Sequence, residues 1–122
     1  MQRRTRQRDA IQRAIERAAR PLAPHEILAE ACIEAPKLGM ATVYRAVRAL
    51  QAEGWLTEVE LPGEPSRYER AGLDHHHHFH CRACDRVYDL PGCPGALREL
   101  APPAFRVEEH EIILYGRCPQ CA

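Results

Sequence analysis

The chain has 122 residues, enough for one ordinary domain or for two very small ones held by something besides a large apolar core. Lys plus Arg and Asp plus Glu each total 17, so there is no formal net charge, which excludes a polyanionic coat and a generally basic tail. No apolar run approaches the ~18 residues of a membrane span and no signal-peptide core follows the arginine-rich start, so the expectation is a cytoplasmic protein without a membrane partner.

The charges are unevenly placed. Arg3, Arg4, Arg6, Arg8, Arg13, Arg17 and Arg20 face only Asp9 and Glu16 within the first twenty residues, a start suited to phosphate. From Thr5 to Ala19, Ile11, Ala14, Ile15 and Ala18 recur at helical steps, and Pro21 ends the run. Pro24 opens a second helix with Ile27, Leu28, Ala31 and Cys32 on its apolar stripe, broken at Pro36-Lys37-Leu38-Gly39. A third helix is expected from Ala41 to Glu53, stopped by Gly54. It turns Val43, Ala46, Val47 and Leu50 inward and Tyr44, Arg45 and Arg48 outward. Three such helices predict a helix-turn-helix. Its wing is a hairpin, residues 56–61 and 66–70 flanking Pro62-Gly63-Glu64-Pro65.

Beyond Ala71-Gly72 the pattern predicts strands at His75 to Cys81 and Val87 to Leu90, a brief helical stretch from Ala96 to Leu100, and a longer strand from Phe105 to Tyr115. The resulting division is residues 1–70 as a winged-helix domain and 71–122 as a second, small domain. About fifty residues with so few large apolar side chains need a staple. Cys81-x-x-Cys84 and Cys118-x-x-Cys121 supply one, because four thiolates in a tetrahedron make the closed site of structural zinc. In a reducing compartment that reading outweighs two disulfides or four buried thiols. Residues 85–117 lie between the pairs, more than a simple zinc ribbon spans, so a strand-helix-strand body is expected between them.

Asp74-His75-His76-His77-His78-Phe79-His80-Cys81 is internal, interrupted by Phe79 and runs into a zinc-ligand cysteine, unlike a terminal purification tag. On a strand, alternation sends His76 and His78 to one face and His75 and His77 to the other, so one strand can serve two metal sites; the alternative is a solvated histidine patch. His80 shares the parity of His76 and His78 and has no assigned role. Glu69, Asp89, Cys93, His110 and Glu111 would count as ligands only if the fold brought them together. Cys32 reads as a buried structural thiol and His25 as an exposed first-turn residue.

The ordered set Gly39-Met40-Ala41-Thr42-Val43-Tyr44-Arg45, the histidine run into Cys81-x-x-Cys84, His110, and Tyr115-Gly116-x-Cys118-x-x-Cys121 resembles the ferric uptake regulator family of bacterial metal-dependent repressors, over essentially the whole chain. The resemblance implies an α+β protein: an N-terminal winged helix, a hinge, and a C-terminal α/β dimerisation domain stapled by zinc on Cys81, Cys84, Cys118 and Cys121. It further implies a sensory site on Glu69, His76, His78 and Asp89 and another metal site on His75, His77 and His110. Asp89-Leu90-Pro91-Gly92-Cys93-Pro94 looks like the Cys-Pro element of the zinc uptake regulator branch, which would add Cys93 to that second set. Two departures bear on the metal. Arg20-Pro21 stands where iron and peroxide sensors of the family commonly place a ligand histidine, and Glu69 stands where zinc regulators usually place a cysteine.

The expected function is therefore a homodimeric repressor that binds double-stranded operator DNA when its sensed metal is bound. Nitrogen-rich ligation with one thiolate favours zinc as that metal, with iron or manganese as the alternative. Tyr44 and Arg45 would contact base edges, with Thr42 beside them, while Arg48, Arg3, Arg4, Arg6 and Arg8 would grip phosphate or the minor groove. A zinc-stapled RNA-binding or adaptor module is the rival outside regulation. Catalysis is not expected, because the cysteine pairs lack the His-x-Glu and Pro-Cys-x-x-Cys of zinc deaminases, and no small-molecule substrate is implied.

Overall fold

A computed structural model describes the backbone of residues 2–122 and the side chains from Arg6 onward. Nine elements follow in order: α1 (Gln2–Ala18), α2 (Pro24–Ala31), α3 (Met40–Ala52), β1 (Leu56–Val59), β2 (Arg67–Arg70), β3 (His76–Cys81), β4 (Val87–Pro91), a 3-10 turn (Leu97–Leu100) and β5 (Ile113–Gly116). They form two compact units that meet in sequence between Leu73 and Asp74.

Local chemistry explains the helix boundaries of the first unit. Ala19 takes φ 51°, a left-handed residue that ends α1 ahead of Pro21. Pro24 opens α2 without losing a needed donor, and Glu26 Oε1 accepts the Ala23 amide at 3.0 Å. After α3, Gly54 at φ 79° donates to Gln51 O at 3.0 Å and Trp55 donates to Leu50 O at 3.0 Å. This paired closure satisfies two orphan carbonyls and needs glycine at the turn. The inward faces meet in one cluster of Ile11, Ile15, Leu22, Ile27, Val43, Val47, Leu50 and Leu56, with Cys32 half-buried against it. β1 and β2 pair antiparallel with Leu56 opposite Arg70, and a bridge between Leu22 and Tyr68 ties the segment after α1 to the wing. This is a winged helix.

The second unit is a three-stranded sheet in the order β4-β3-β5. β3 pairs antiparallel with β4 and parallel with β5, so a long crossover must carry the chain from one edge to the other. The expected long strand from Phe105 is corrected here: only Ile113–Gly116 is strand, and residues 105–112 run without regular structure. Glu108, Glu109 and Glu111 break the alternation a half-buried strand requires, and pairing with β3 begins only at His78 opposite Ile113. The helical stretch shortens to the 3-10 turn for want of a buried face. Among the described residues of this unit, Val87 is the one aliphatic side chain that is buried; the other buried groups are His77, His80, Cys81 and Cys118.

Candidate metal centres and the exposed face of the third helix

Strand register assembles the four cysteines. Cys81 closes β3 opposite Gly116 of β5, so Cys118 arrives two residues later beside it. The turn after β3 returns Cys84, held by Asp85 N–H to Cys81 O at 2.9 Å with Asp85 at φ 66°. The four ligand atoms lie within 4.8 Å of one another, and Cys84 Sγ and Cys118 Sγ are 3.8 Å apart. Two ~2.3 Å zinc–sulfur bonds at the tetrahedral angle span about 3.8 Å, whereas a disulfide needs about 2.05 Å. All six cysteines are free thiols. Amide donation from Cys84 (3.5 Å) and Cys118 (3.4 Å) pulls the Cys81 thiol down to about 6. The hydrogen bond from the Tyr88 hydroxyl lowers Cys118, while the bond Cys121 shares with Cys118, together with burial, pushes Cys121 up to about 12. Four crowded sulfurs ionise together only around a cation, so this donor set fits zinc.

The histidine run divides by face as alternation requires. His78 is the register partner of Asp89, and His76 lies diagonally across from it, so both share the Asp89 face. His76 Nε2 and His78 Nε2 each stand 3.3 Å from Asp89 Oδ1. His76 Nδ1 lies 2.7 Å from Asp74 O, a contact that places the ring proton on Nδ1. The lone pair of Nε2 then confronts a carboxylate oxygen, an arrangement that a cation between them turns from repulsive to favourable. Glu69 is a buried residue of β2 in the first unit.

On the opposite face His75, His77, Cys93 and His110 converge, their ligand atoms within 4.8 Å of one another. Cys93 Sγ lies 2.9 Å from His110 Nε2, and His75 Nε2 lies 3.1 Å from the same nitrogen. Burial first, and then the neighbouring imidazoles, lower the pKa of His77 and keep its ring neutral. Ile112 N–H donates to His77 Nδ1 at 3.1 Å, and His77 Nε2 has no hydrogen-bond partner among the described residues. An ion taken through Nε2 must therefore move the ring proton to Nδ1 and displace the Ile112 amide. The set opens onto a cleft of about 740 Å³ whose rim carries Glu108, Glu109 and Glu111.

His80, of the same parity as His76 and His78, instead bonds Asp85 Oδ1 at 2.6 Å beside the cysteine turn. Glu111 is exposed on the cleft and outside the four converging groups. Tyr44, Arg45 and Arg48 are exposed on α3, with Tyr44 47 % accessible; Arg45 Nη2 donates to half-buried Thr42 Oγ1 at 3.1 Å. Arg6 is exposed, Arg8 pairs with Glu53 at the end of α3, and the side chains of Arg3 and Arg4 lie outside the described residues. Arg13 and Arg17 pair with Glu34, and Arg20 with Glu26, so the basic start is partly neutralised within its own unit. Sequence reasoning missed Tyr88, Asp85 and the Asp74 carbonyl. Only Asp85 left a signal, as the residue directly after Cys-x-x-Cys.

The model of the ferric uptake regulator family matches residues 2–115 of the chain. Ferric uptake regulation protein 2 of Mycolicibacterium fortuitum is 30 % identical over 123 residues, covering 97 % of this chain and 84 % of that protein. Among solved structures, a zinc-bound manganese uptake regulator shares the fold at TM-score 0.78 and 24 % identity, over 92 % of this chain and 87 % of that one. FurB from M. tuberculosis, a zinc uptake regulator, aligns at TM-score 0.54 and 26 % identity, over 98 % and 95 % of the two chains. With its winged helix, its cysteine cluster and this match along almost its whole length, the chain belongs to the ferric uptake regulator family of metal-responsive transcriptional regulators.

Proposed function

We propose that the chain is a zinc-responsive repressor, a homodimer that binds double-stranded operator DNA when its sensory site is filled. The observation that carries this reading is the Asp89 face, where two imidazole nitrogens stand 3.3 Å from one carboxylate oxygen and His76 is already oriented by the Asp74 carbonyl. Glu69, on the wing strand β2, is proposed as the fourth ligand, so that the ion ties the reading head to residues 71–122. Bound preferentially by the DNA-competent dimer, the metal shifts the population towards it and acts as corepressor. Cys81, Cys84, Cys118 and Cys121 hold a structural zinc that stays in place whether or not the sensory site is filled.

Zinc is preferred because the second set, His75, His77, Cys93 and His110, offers three imidazoles and a thiol. Iron or manganese is the alternative, favoured by the two oxygen donors that Glu69 and Asp89 would bring to the sensory site. On α3, Arg45 donates to guanine and Tyr44 packs on a thymine methyl, while Arg48 and Arg6 contact phosphate. The test is a titration of protein carrying only its cysteine-bound zinc, with operator binding read for zinc, iron(II) and manganese(II) in turn. Activation by zinc at its cellular free concentration supports the assignment; activation only by iron(II) or manganese(II) overturns it.

A further inference from the structure

The second metal set differs from the cysteine cluster in holding a single thiol that is open to solvent. Cys93 is exposed on the crossover between Gly92, at φ 87°, and Pro94, and it borders the 740 Å³ cleft. Its sulfur is 2.9 Å from His110 Nε2. Beside it His77, only 4 % exposed, presents an Nε2 without a hydrogen-bond partner among the described residues. The other cysteines of this unit are gathered at the far end of β3, where Cys81 and Cys118 are buried and the structural zinc would occupy all four sulfurs.

We propose that Cys93 is an oxidative modification site: a hydroperoxide converts it to a sulfenic acid when the second metal set is empty, and zinc in that set blocks the reaction. This rests on reading the set as a zinc site. The Cys93 sulfur attacks the nearer peroxide oxygen, the S–O bond forms as the O–O bond breaks, and sulfur loses two electrons while the peroxide is reduced to an alcohol or water. His110 Nε2, within reach of the thiol, takes its proton and returns it to the leaving oxygen. The product retains one oxygen on sulfur and no longer offers a thiolate, so oxidant and ion compete for one atom. Two equivalents of a cellular thiol reverse the change: the first condenses with the sulfenic acid to a mixed disulfide with loss of water, and the second attacks that disulfide and releases Cys93 as the thiol.

The test uses the full chain with its structural zinc, treated with hydrogen peroxide with and without added zinc; sulfenic acid is trapped with a dimedone reagent and located by mass spectrometry. Cys93 should be the first residue labelled. Zinc at about 100 times its dissociation constant leaves about 1 % of sites open, so labelling should slow by roughly two orders of magnitude. His110→Ala, without added zinc, should slow labelling although Cys93 remains exposed. Cys93→Ser should bind one zinc equivalent less than the parent. Labelling of Cys84 or Cys121 ahead of Cys93 overturns the proposal. So does an equal Cys93 rate with zinc measured as bound, which leaves the second-site reading intact. Equal zinc stoichiometry in Cys93→Ser and its parent overturns the second-site reading and the proposal with it.

Discussion

Cys118→Ser isolates what holds residues 74–122 together. Complete burial of a valine contributes about 1.5–3 kcal/mol, and Val87 is the one buried aliphatic group of this unit among the described residues. A structural zinc on four thiolates contributes about 10–16 kcal/mol at neutral pH, several times more than that side chain can. Cys118 is tied into the cluster at several points: its sulfur lies 3.8 Å from Cys84 Sγ and bonds Tyr88, and its amide donates to Cys81 Sγ. Replacing it should release the zinc, unfold the second unit and abolish dimerisation. The first unit, with its own core from Ile11 to Leu56, should stay folded. Elemental analysis, amide NMR spectra and light scattering on the full-length variant would measure the three effects. A zinc-free variant that stays dimeric with a dispersed second-unit spectrum would refute the reasoning.

His78→Ala should keep the cysteine-bound zinc and the dimer yet lose metal-activated operator binding, because it removes one of the two nitrogens facing Asp89; retained activation would move the sensory site elsewhere. Arg45→Ala should cost about 1–3 kcal/mol at the operator and relax sequence preference, whereas Arg6→Ala should weaken all sequences and shallow the salt slope; competition binding at two salt concentrations separates them. Zinc binding at neutral pH should release protons, at least one of them from Cys121, whose thiol sits well above its ordinary range; calorimetry in buffers of different ionisation enthalpy reads this number. Burial lowers the pKa of His77, so its neutral, ligating form prevails above about 6.5, and second-site zinc should be lost as pH falls through a window below that value. The same filling should shift the Ile112 amide resonance, which now reports its bond to His77 Nδ1.

The first unit was legible because its signals are local. Gly54, Pro24 and the apolar stripes of α1 to α3 each fix a boundary by short-range sterics or burial, and the hairpin follows from its turn. The two histidine faces were legible for the same reason, since strand alternation needs no partner. What escaped depends on register between distant segments. Tyr88 reaches Cys118 only because β4 and β5 flank β3, and His110 reaches Cys93 only because residues 105–112 leave the strand conformation that the sequence suggests. The arginines of the first twenty residues gave a count of charge but not its compensation by Glu26, Glu34 and Glu53, which lie 6 to 45 residues away.

β3 carries four histidines in a row from just before its start, and identical neighbours cannot distinguish one phase of a strand from the next. Sliding the run by a single position would exchange the ligands of the two faces while leaving the local chemistry unchanged. The phase must be set from the ends. Cys81, pinned by its cluster opposite Gly116, acts as the fixed end of a ruler whose graduations are the imidazoles, and Asp89 marks where one graduation belongs. A structural ion on that cluster, as proposed above, would thereby decide which histidines face which metal set, and a one-residue deletion within the run should scramble both sets while sparing the anchor.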